Sequence, residues 1–305
     1  MRTAFIQELI RQARIHPRLF LVVGDLGYSV VEPFAQEFPD RFLNAGVAEQ
    51  NMTSLAAGLA AEGWHVFTYS IANFPTLRCL EQIRNDVCYH RLSVTVVAVG
   101  AGLAYGNLGF SHHGVHDLAA LRPLPHLTLL SPADPGEATA CVRHLAENPG
   151  PSYLRLGKAG EKQLHDIPGL VSGPLRVRAA EGPVALVATG SVLSVALAAA
   201  DVLAARGTPA AVYSCPWLKP VTRGFFAPLW DHSCLVTLEE HVGAAGFGSL
   251  LREVAPDTVR VRNLAVPEEL TSVVGSQEFL RQAAGLTVEG VLGAVATLHP
   301  LPRNG

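Results

Sequence analysis

Phe42-Leu43-Asn44-Ala45-Gly46-Val47-Ala48-Glu49-Gln50-Asn51-Met52 puts a carboxylate where an irregular segment gives way to an Ala/Leu-rich helix. Glu49 there can complement the positive end of the helix macrodipole, as first-turn acids commonly do. It can equally face a desolvated pocket and hold a proton for a ligand. Spacing leaves both roles open. A second cluster, His112-His113-Gly114-Val115-His116-Asp117, offers imidazoles, which move protons near neutral pH. On one helical face His112 and His116 would stand at metal-ligand spacing, but Gly109 and Gly114 read as loop and no further His or Cys completes a set. The sequence therefore predicts no metal ligands. Phe74 is either core or a ring-stacking surface, and Asp25 either a turn residue or a polar group at the end of a strand.

The elements that must position these groups alternate along the whole chain. Leu19–Val23 is a short apolar run ending at Gly24-Asp25, a strand feeding a turn. Helices are expected over Gln50–Glu62, Thr76–Tyr89 and Pro135–Ala146, and strands over Val66–Tyr69, Val94–Val99 and His126–Leu130. Val94–Val99 is apolar on both faces, as a central parallel strand must be. Residues 161–182, mixing Gly, Lys, His, Asp and Pro, read as a linker between domains 1–160 and 183–305. The second unit opens with the strand Val184–Ala188, a Thr189-Gly190-Ser191 turn and the helix Val192–Ala205; Ala210–Ser214, Cys234–Thr237 and Thr258–Arg262 read as further strands. The fold class is α/β: two doubly wound domains, each a mostly parallel sheet covered by helices on both faces.

With 305 residues the chain has room for two domains. Hydrophobic residues are 49% and charged ones only 16%, so much apolar surface must be hidden in cores or between subunits. Net charge is −3 with no basic run, which argues against nucleic acid and anionic membrane as partners. The cysteines, Cys79, Cys88, Cys141, Cys215 and Cys234, form no CxxC pair and suit a reducing cytosol. The N-terminus reads as an amphipathic helix, with no signal peptide, and no apolar run approaches the ~20 residues of a membrane span. A cytoplasmic protein is expected.

Taken together in order, several segments resemble the pyrimidine-binding domain of transketolase-like thiamine diphosphate enzymes. They are Gly24-Asp25-Leu26, the Glu49 segment, Ser70-Ile71-Ala72-Asn73-Phe74, Arg78-Cys79-Leu80-Glu81-Gln82-Ile83-Arg84-Asn85-Asp86, Gly109-Phe110-Ser111-His112-His113, Leu121-Arg122-Pro123-Leu124-Pro125 and Tyr153-Leu154-Arg155-Leu156. Ala188-Thr189-Gly190-Ser191 and Glu239-Glu240-His241 with Gly246-Phe247-Gly248-Ser249 resemble that family's C-terminal domain. The resemblance implies that Glu49 hydrogen-bonds the cofactor's aminopyrimidine and so activates it, that Phe74 stacks on that ring with Ile71 beside it, and that Asp25 and Leu26 lie near the cofactor across the dimer. It implies that His112 handles substrate oxygens and protons, with Arg2 and Lys158 near positions that hold substrate phosphate.

The departures bear on substrate. Leu108 stands where sugar-phosphate transketolases have a carboxylate that checks the donor's hydroxyls, Gly100 where they tend to have His, His116 where they have Glu, and Ile71 and Leu77 where they often have aromatics. The chain also lacks the Gly-Asp-Gly…Asn motif that holds the diphosphate through Mg²⁺. The resemblance is thus to the C-terminal subunit of a split enzyme. It implies a two-carbon ketol or acyl transfer to an aldehyde or aldose, Mg²⁺ ligands on a separate N-terminal subunit, and an α2β2 assembly. Alternatives are the β subunit of a 2-oxo acid dehydrogenase first component and a non-catalytic scaffold.

Overall fold

β-branched and apolar runs become strands close to where their pattern places them, and the intervening Ala/Leu-rich stretches become helices. A computed structural model describes residues 1–166, 169–170, 172–222 and 224–299. In chain order the first unit contains α1 (Arg2–Ile15), β1 (Leu19–Val23), α2 (Glu32–Glu37), β2 (Phe42–Asn44), α3 (Glu49–Ala61), β3 (His65–Ile71), α4 (Leu80–Gln82), β4 (Val94–Val99), α5 (Asp117–Leu121), β5 (Thr128–Leu130), α6 (Pro135–Glu147) and β6 (Ser152–Leu156). The second contains β7 (Leu175–Arg178), β8 (Val184–Thr189), α7 (Leu193–Ala205), β9 (Ala211–Ser214), β10 (Trp217–Lys219), β11 (Cys234–Val242), α8 (Phe247–Val254), β12 (Arg260–Val266), α9 (Gln277–Ala283) and α10 (Val288–Leu298).

The first sheet runs β10-β5-β6-β4-β3-β1-β2 and the second β12-β11-β8-β9-β7. All pairings are parallel except two at the edges, β10 with β5 and β7 with β9. The expected α/β class with two mostly parallel sheets is what the chain forms. β7 lies inside the stretch read as linker, and β10 crosses from the second unit to extend the first sheet. Every residue of β4, β8 and β11 is buried, as central strands covered on both faces require.

Side chains alternate along β8, so Ala185 and Val187 join the core that fills the first unit, while Val184, Leu186 and Ala188 join a separate core with α7 and α10. One core therefore runs unbroken across both units. The expected helix Thr76–Tyr89 is instead a turn through Cys79, a single α turn, then a π-helix over Ile83–Cys88. Thr76 Oγ1 bonding back to the Ala72 carbonyl at 2.5 Å and the Leu77 and Arg78 amides meeting the Asn73 carbonyl hold that turn open.

Candidate active site

β1 sends the chain one way to β2, and β2 sends it back across β1 to β3. That reversal opens a crevice outside the carboxyl ends of the strands, the place where open α/β sheets bind ligands. Gly24-Asp25 leaves β1 there, Glu49 opens α3 after β2, and Ala72-Asn73-Phe74 follows β3.

Glu49 sits in the first turn of α3 and is 1% exposed. A side chain at Gly24 would touch its Cγ, the Met52 sulfur and the Ser70 hydroxyl, all at 3.5 Å, so Gly24 brings the β1 turn against the carboxylate. Arg78 Nη1 donates to Glu49 Oε2 at 2.6 Å, and the Arg78 guanidinium lies 4.9 Å from the Phe74 ring centre. His112 meets the same ring edge-on at 5.2 Å. Glu49, Phe74 and His112, distant in sequence, thus share one neighbourhood, and Arg78 links the first two.

Asp25 takes a left-handed φ of 54°, which Asp tolerates better than most residues. Its carboxylate accepts from Asn44 Nδ2 at 2.9 Å, and Asn44 Oδ1 accepts from the Asp25 and Gly46 amides. Asn44 therefore ties the β1 turn to the loop that delivers Glu49. Leu26 and Ile71 are half-buried at the same edge. Leu77 and Leu108 are exposed, Leu108 by 55%.

The histidine loop is held from beneath. Asn73 Nδ2 donates to the carbonyls of Ser111 and His113, at 3.0 and 2.9 Å. Fully buried Arg155 donates to Asp117 Oδ2 at 2.7 Å, to the Gly114 carbonyl and to the Glu240 carbonyl of the second unit. Burial pushes the Asp117 carboxyl up, but Arg155, His241 and the hydrogen bonds outweigh it and leave the carboxyl below its usual range. His112 Nδ1 pairs with Ser111 Oγ at 2.9 Å, and partial burial followed by neighbouring His113 lowers its pKa, favouring the neutral ring. His112 closes a 3-10 turn, whereas His116 packs against Phe110. Among the described residues no group of three or more His, Cys, Asp or Glu could hold a metal ion.

Near the start of α1, the Arg2 side chain faces the buried Tyr69 hydroxyl, whose pKa burial raises while the Arg2 charge lowers it. Burial raises the Tyr105 hydroxyl pKa while the Arg2 charge lowers it, which puts Arg2 within electrostatic reach of that phenol. The Lys158 carbonyl accepts from the Met1 amino group at 3.2 Å, which brings it beside the start of α1; the Lys158 side chain also borders a cavity of about 310 Å³ shared with Ser191, Gln277 and Arg281. Arg78, Asn44, Tyr105 and Arg155 make contacts around the candidate site residues that no sequence reading assigned to them individually. The partners of Arg78, Asn44 and Arg155 lie 19 or more residues away along the chain, which sequence spacing does not reveal.

Comparison with known proteins fits this architecture. A family model described as transketolase, pyrimidine binding domain, matches residues 1–160, and one for the transketolase C-terminal domain matches residues 173–291. The chain is 31% identical over 286 residues to an apulose-4-phosphate transketolase subunit of Actinobacillus succinogenes, covering 92% of this chain and 91% of that one. It is 35% identical over 272 residues to 1-deoxy-D-xylulose-5-phosphate synthase 1 of Geobacter sulfurreducens, covering 86% of this chain but only 42% of the synthase. A solved split gene transketolase, an inactive beta4 tetramer, superposes with a TM-score of 0.84 at 34% identity, covering 99% of this chain and 98% of that one. The family model spans over half the chain and the relatives nearly all of it, so the chain belongs to the transketolase family, in the form of its pyrimidine-binding and C-terminal portion.

Proposed function

We propose that the chain is the C-terminal subunit of a split, thiamine diphosphate-dependent transketolase-type enzyme. In this reading it transfers a two-carbon ketol or acyl unit from a ketose or 2-oxo acid donor to an aldehyde or aldose. The observation that carries the reading is the buried Glu49 carboxylate beside Phe74 at the carboxyl edge of the sheet. The residues there fit the cofactor's aminopyrimidine. Glu49 Oε2 is engaged by Arg78 but no hydrogen bond to Oε1 occurs among the described residues, and the buried Ser70 hydroxyl and Asn73 Oδ1 have no partner. Buried polar groups left without partners are uncommon and suit a ligand's hydrogen bonds.

When bound, the cofactor supplies the electron sink for breaking and making the carbon–carbon bond. Glu49 would hydrogen-bond a nitrogen of the ring, Phe74 would provide the stacking face, and Ile71 and Leu77 would wall the ring with aliphatic carbon. Asp25 and Leu26 would lie near the cofactor across the dimer. His112, favoured neutral and hydrogen-bonded by Ser111, accepts or donates a proton at substrate oxygens. Arg2 and Lys158 receive the substrate's phosphate. Leu108, exposed and apolar at the rim, favours a donor with fewer hydroxyls to read. No group of three or more His, Cys, Asp or Glu among the described residues could hold a metal ion. The metal and diphosphate ligands are assigned to a separate N-terminal subunit carrying Gly-Asp-Gly…Asn, assembled with this chain as α2β2.

The test is reconstitution with that subunit, Mg²⁺ and thiamine diphosphate, assayed for two-carbon transfer to aldoses and, in parallel, for lipoyl acylation. Glu49→Gln should lower kcat by about a hundredfold or more, the usual scale of a lost proton-transfer group. Turnover indifferent to Glu49→Gln would sink the reading. So would tight, Mg²⁺-dependent binding of thiamine diphosphate by this chain alone.

A further inference from the structure

Arg78 sits in the turn before α4 and touches the site from three directions. Its Nη1 donates to Glu49 Oε2 at 2.6 Å, and its guanidinium lies over Phe74 at 4.9 Å. Its carbonyl accepts from Gln50 Nε2 at 3.1 Å. Two successive residues of α3 therefore hold one arginine through their side chains, Glu49 gripping its guanidinium and Gln50 its main-chain carbonyl. The arginine is 48% exposed while the carboxyl group it grips is 1% exposed, so Glu49 is held from the solvent edge rather than from the pocket floor.

The contact is single, one N–H on one oxygen, and not the two-pronged pairing of which arginine is capable. A two-pronged pair would occupy both carboxylate oxygens. Here Oε1 is left over. Main-chain anchoring by Gln50 also distinguishes Arg78 from a side chain that merely fills an empty pocket, because its backbone is fixed whether or not a ring is bound.

Building on the proposed function, the geometry points to Arg78 as a positioning residue for cofactor activation. It fixes the Glu49 carboxylate by Oε2, so that Oε1 is the oxygen presented to a ring stacked on Phe74. Arg78 acts through Glu49 and makes no direct contact with the reacting atoms. Because all three groups belong to this chain, the ring half of the pocket is formed before any partner subunit arrives.

The full chain, titrated with thiamine and followed by saturation-transfer NMR, tests this without turnover. Millimolar thiamine should give a wild-type signal. Arg78→Gln should weaken binding on the order of tenfold, the loss of one charge-assisted hydrogen bond. Arg78→Lys should restore most of it, because a single donor and a charge suffice for a single contact. The double variant Glu49→Gln with Arg78→Gln should bind no more weakly than Glu49→Gln alone, the signature of action through Glu49. Thermal melts of each variant check the fold. Unchanged or tighter binding by Arg78→Gln, additive losses in the double variant, or no wild-type signal would each overturn the inference. Loss in Glu49→Gln with none in Arg78→Gln refutes Arg78 alone, whereas full binding by Glu49→Gln refutes the cofactor reading itself.

Discussion

At Gly100 the backbone turns through φ +93°, and a Cβ there would overlap the ring of Tyr105. The ring of Tyr105, five residues later, fills the volume that a side chain at position 100 would need. Gly100→Ala should destabilise the chain by about 2–4 kcal/mol, because both the backbone conformation and the space are refused. Adding Tyr105→Ala should recover part of the loss, read as the shift in melting midpoint between single and double variants. Equal midpoints for the two would show that the φ strain alone matters. Phe74 is the corresponding test of the site: Phe74→Leu keeps an apolar wall but removes the aromatic face. In the thiamine titration it should bind a few-fold to tenfold more weakly, with the melting midpoint nearly unchanged.

At the scale of elements, β11 carries the seam between the two units. Its Glu239 accepts from the Phe247 and Gly248 amides and from Asn263, capping α8, while burial pushes its carboxyl up to about 7 against those donors. His241, two residues on, accepts from the Ala119 amide through Nε2, and burial lowers it to about 4. The two have opposite pH consequences. Stability from neutral Glu239 is lost as pH rises from about 4.5 through 7; stability from neutral His241 is lost as pH falls from about 6.5 toward 4. Each is worth roughly 3 kcal/mol at most. In the wild type they oppose each other between these limits. His241→Gln keeps an acceptor for Ala119 and removes one titration, so its melting temperature should fall as pH is raised from 4.5 to 7. A variant whose midpoint rises over that range would contradict the assignment. Arg155 is the other seam element, and Arg155→Met, which strands the buried Asp117 carboxylate, should cost about 3–5 kcal/mol and loosen the histidine loop.

For the whole molecule, one core runs through both units and β10 extends the first sheet from the second, so the two halves unfold together. A single calorimetric transition is expected, and two resolved transitions would refute that coupling. No described helix is long and apolar enough to cross a membrane. The proposed split assembly predicts that sedimentation of this chain with the diphosphate-binding subunit yields an α2β2 species, with exposed Leu108 and Phe110 at the rim of the site becoming buried. A purely monomeric mixture would count against it.

Strand and helix order, the two-unit plan, and Glu49, Phe74 and His112 as candidates were legible in the sequence because each is written locally. Two-faced apolar runs specify central strands, and short colinear motifs carry the resemblance. The turn in place of a helix at Thr76–Cys79 was not, because the Thr76 hydroxyl bonds back to the Ala72 carbonyl and the Leu77 and Arg78 amides share the Asn73 carbonyl, overriding helical periodicity. The strands β2, β6, β7 and β10 were missed for a related reason: they are short, and partners in distant sequence make them strands. The roles of Arg78, Asn44, Tyr105 and Arg155 were decided only by tertiary structure. An arginine reads alike on a solvated face and against a buried carboxylate, and only folding brings Glu49, 29 residues away, to within 2.6 Å of Arg78.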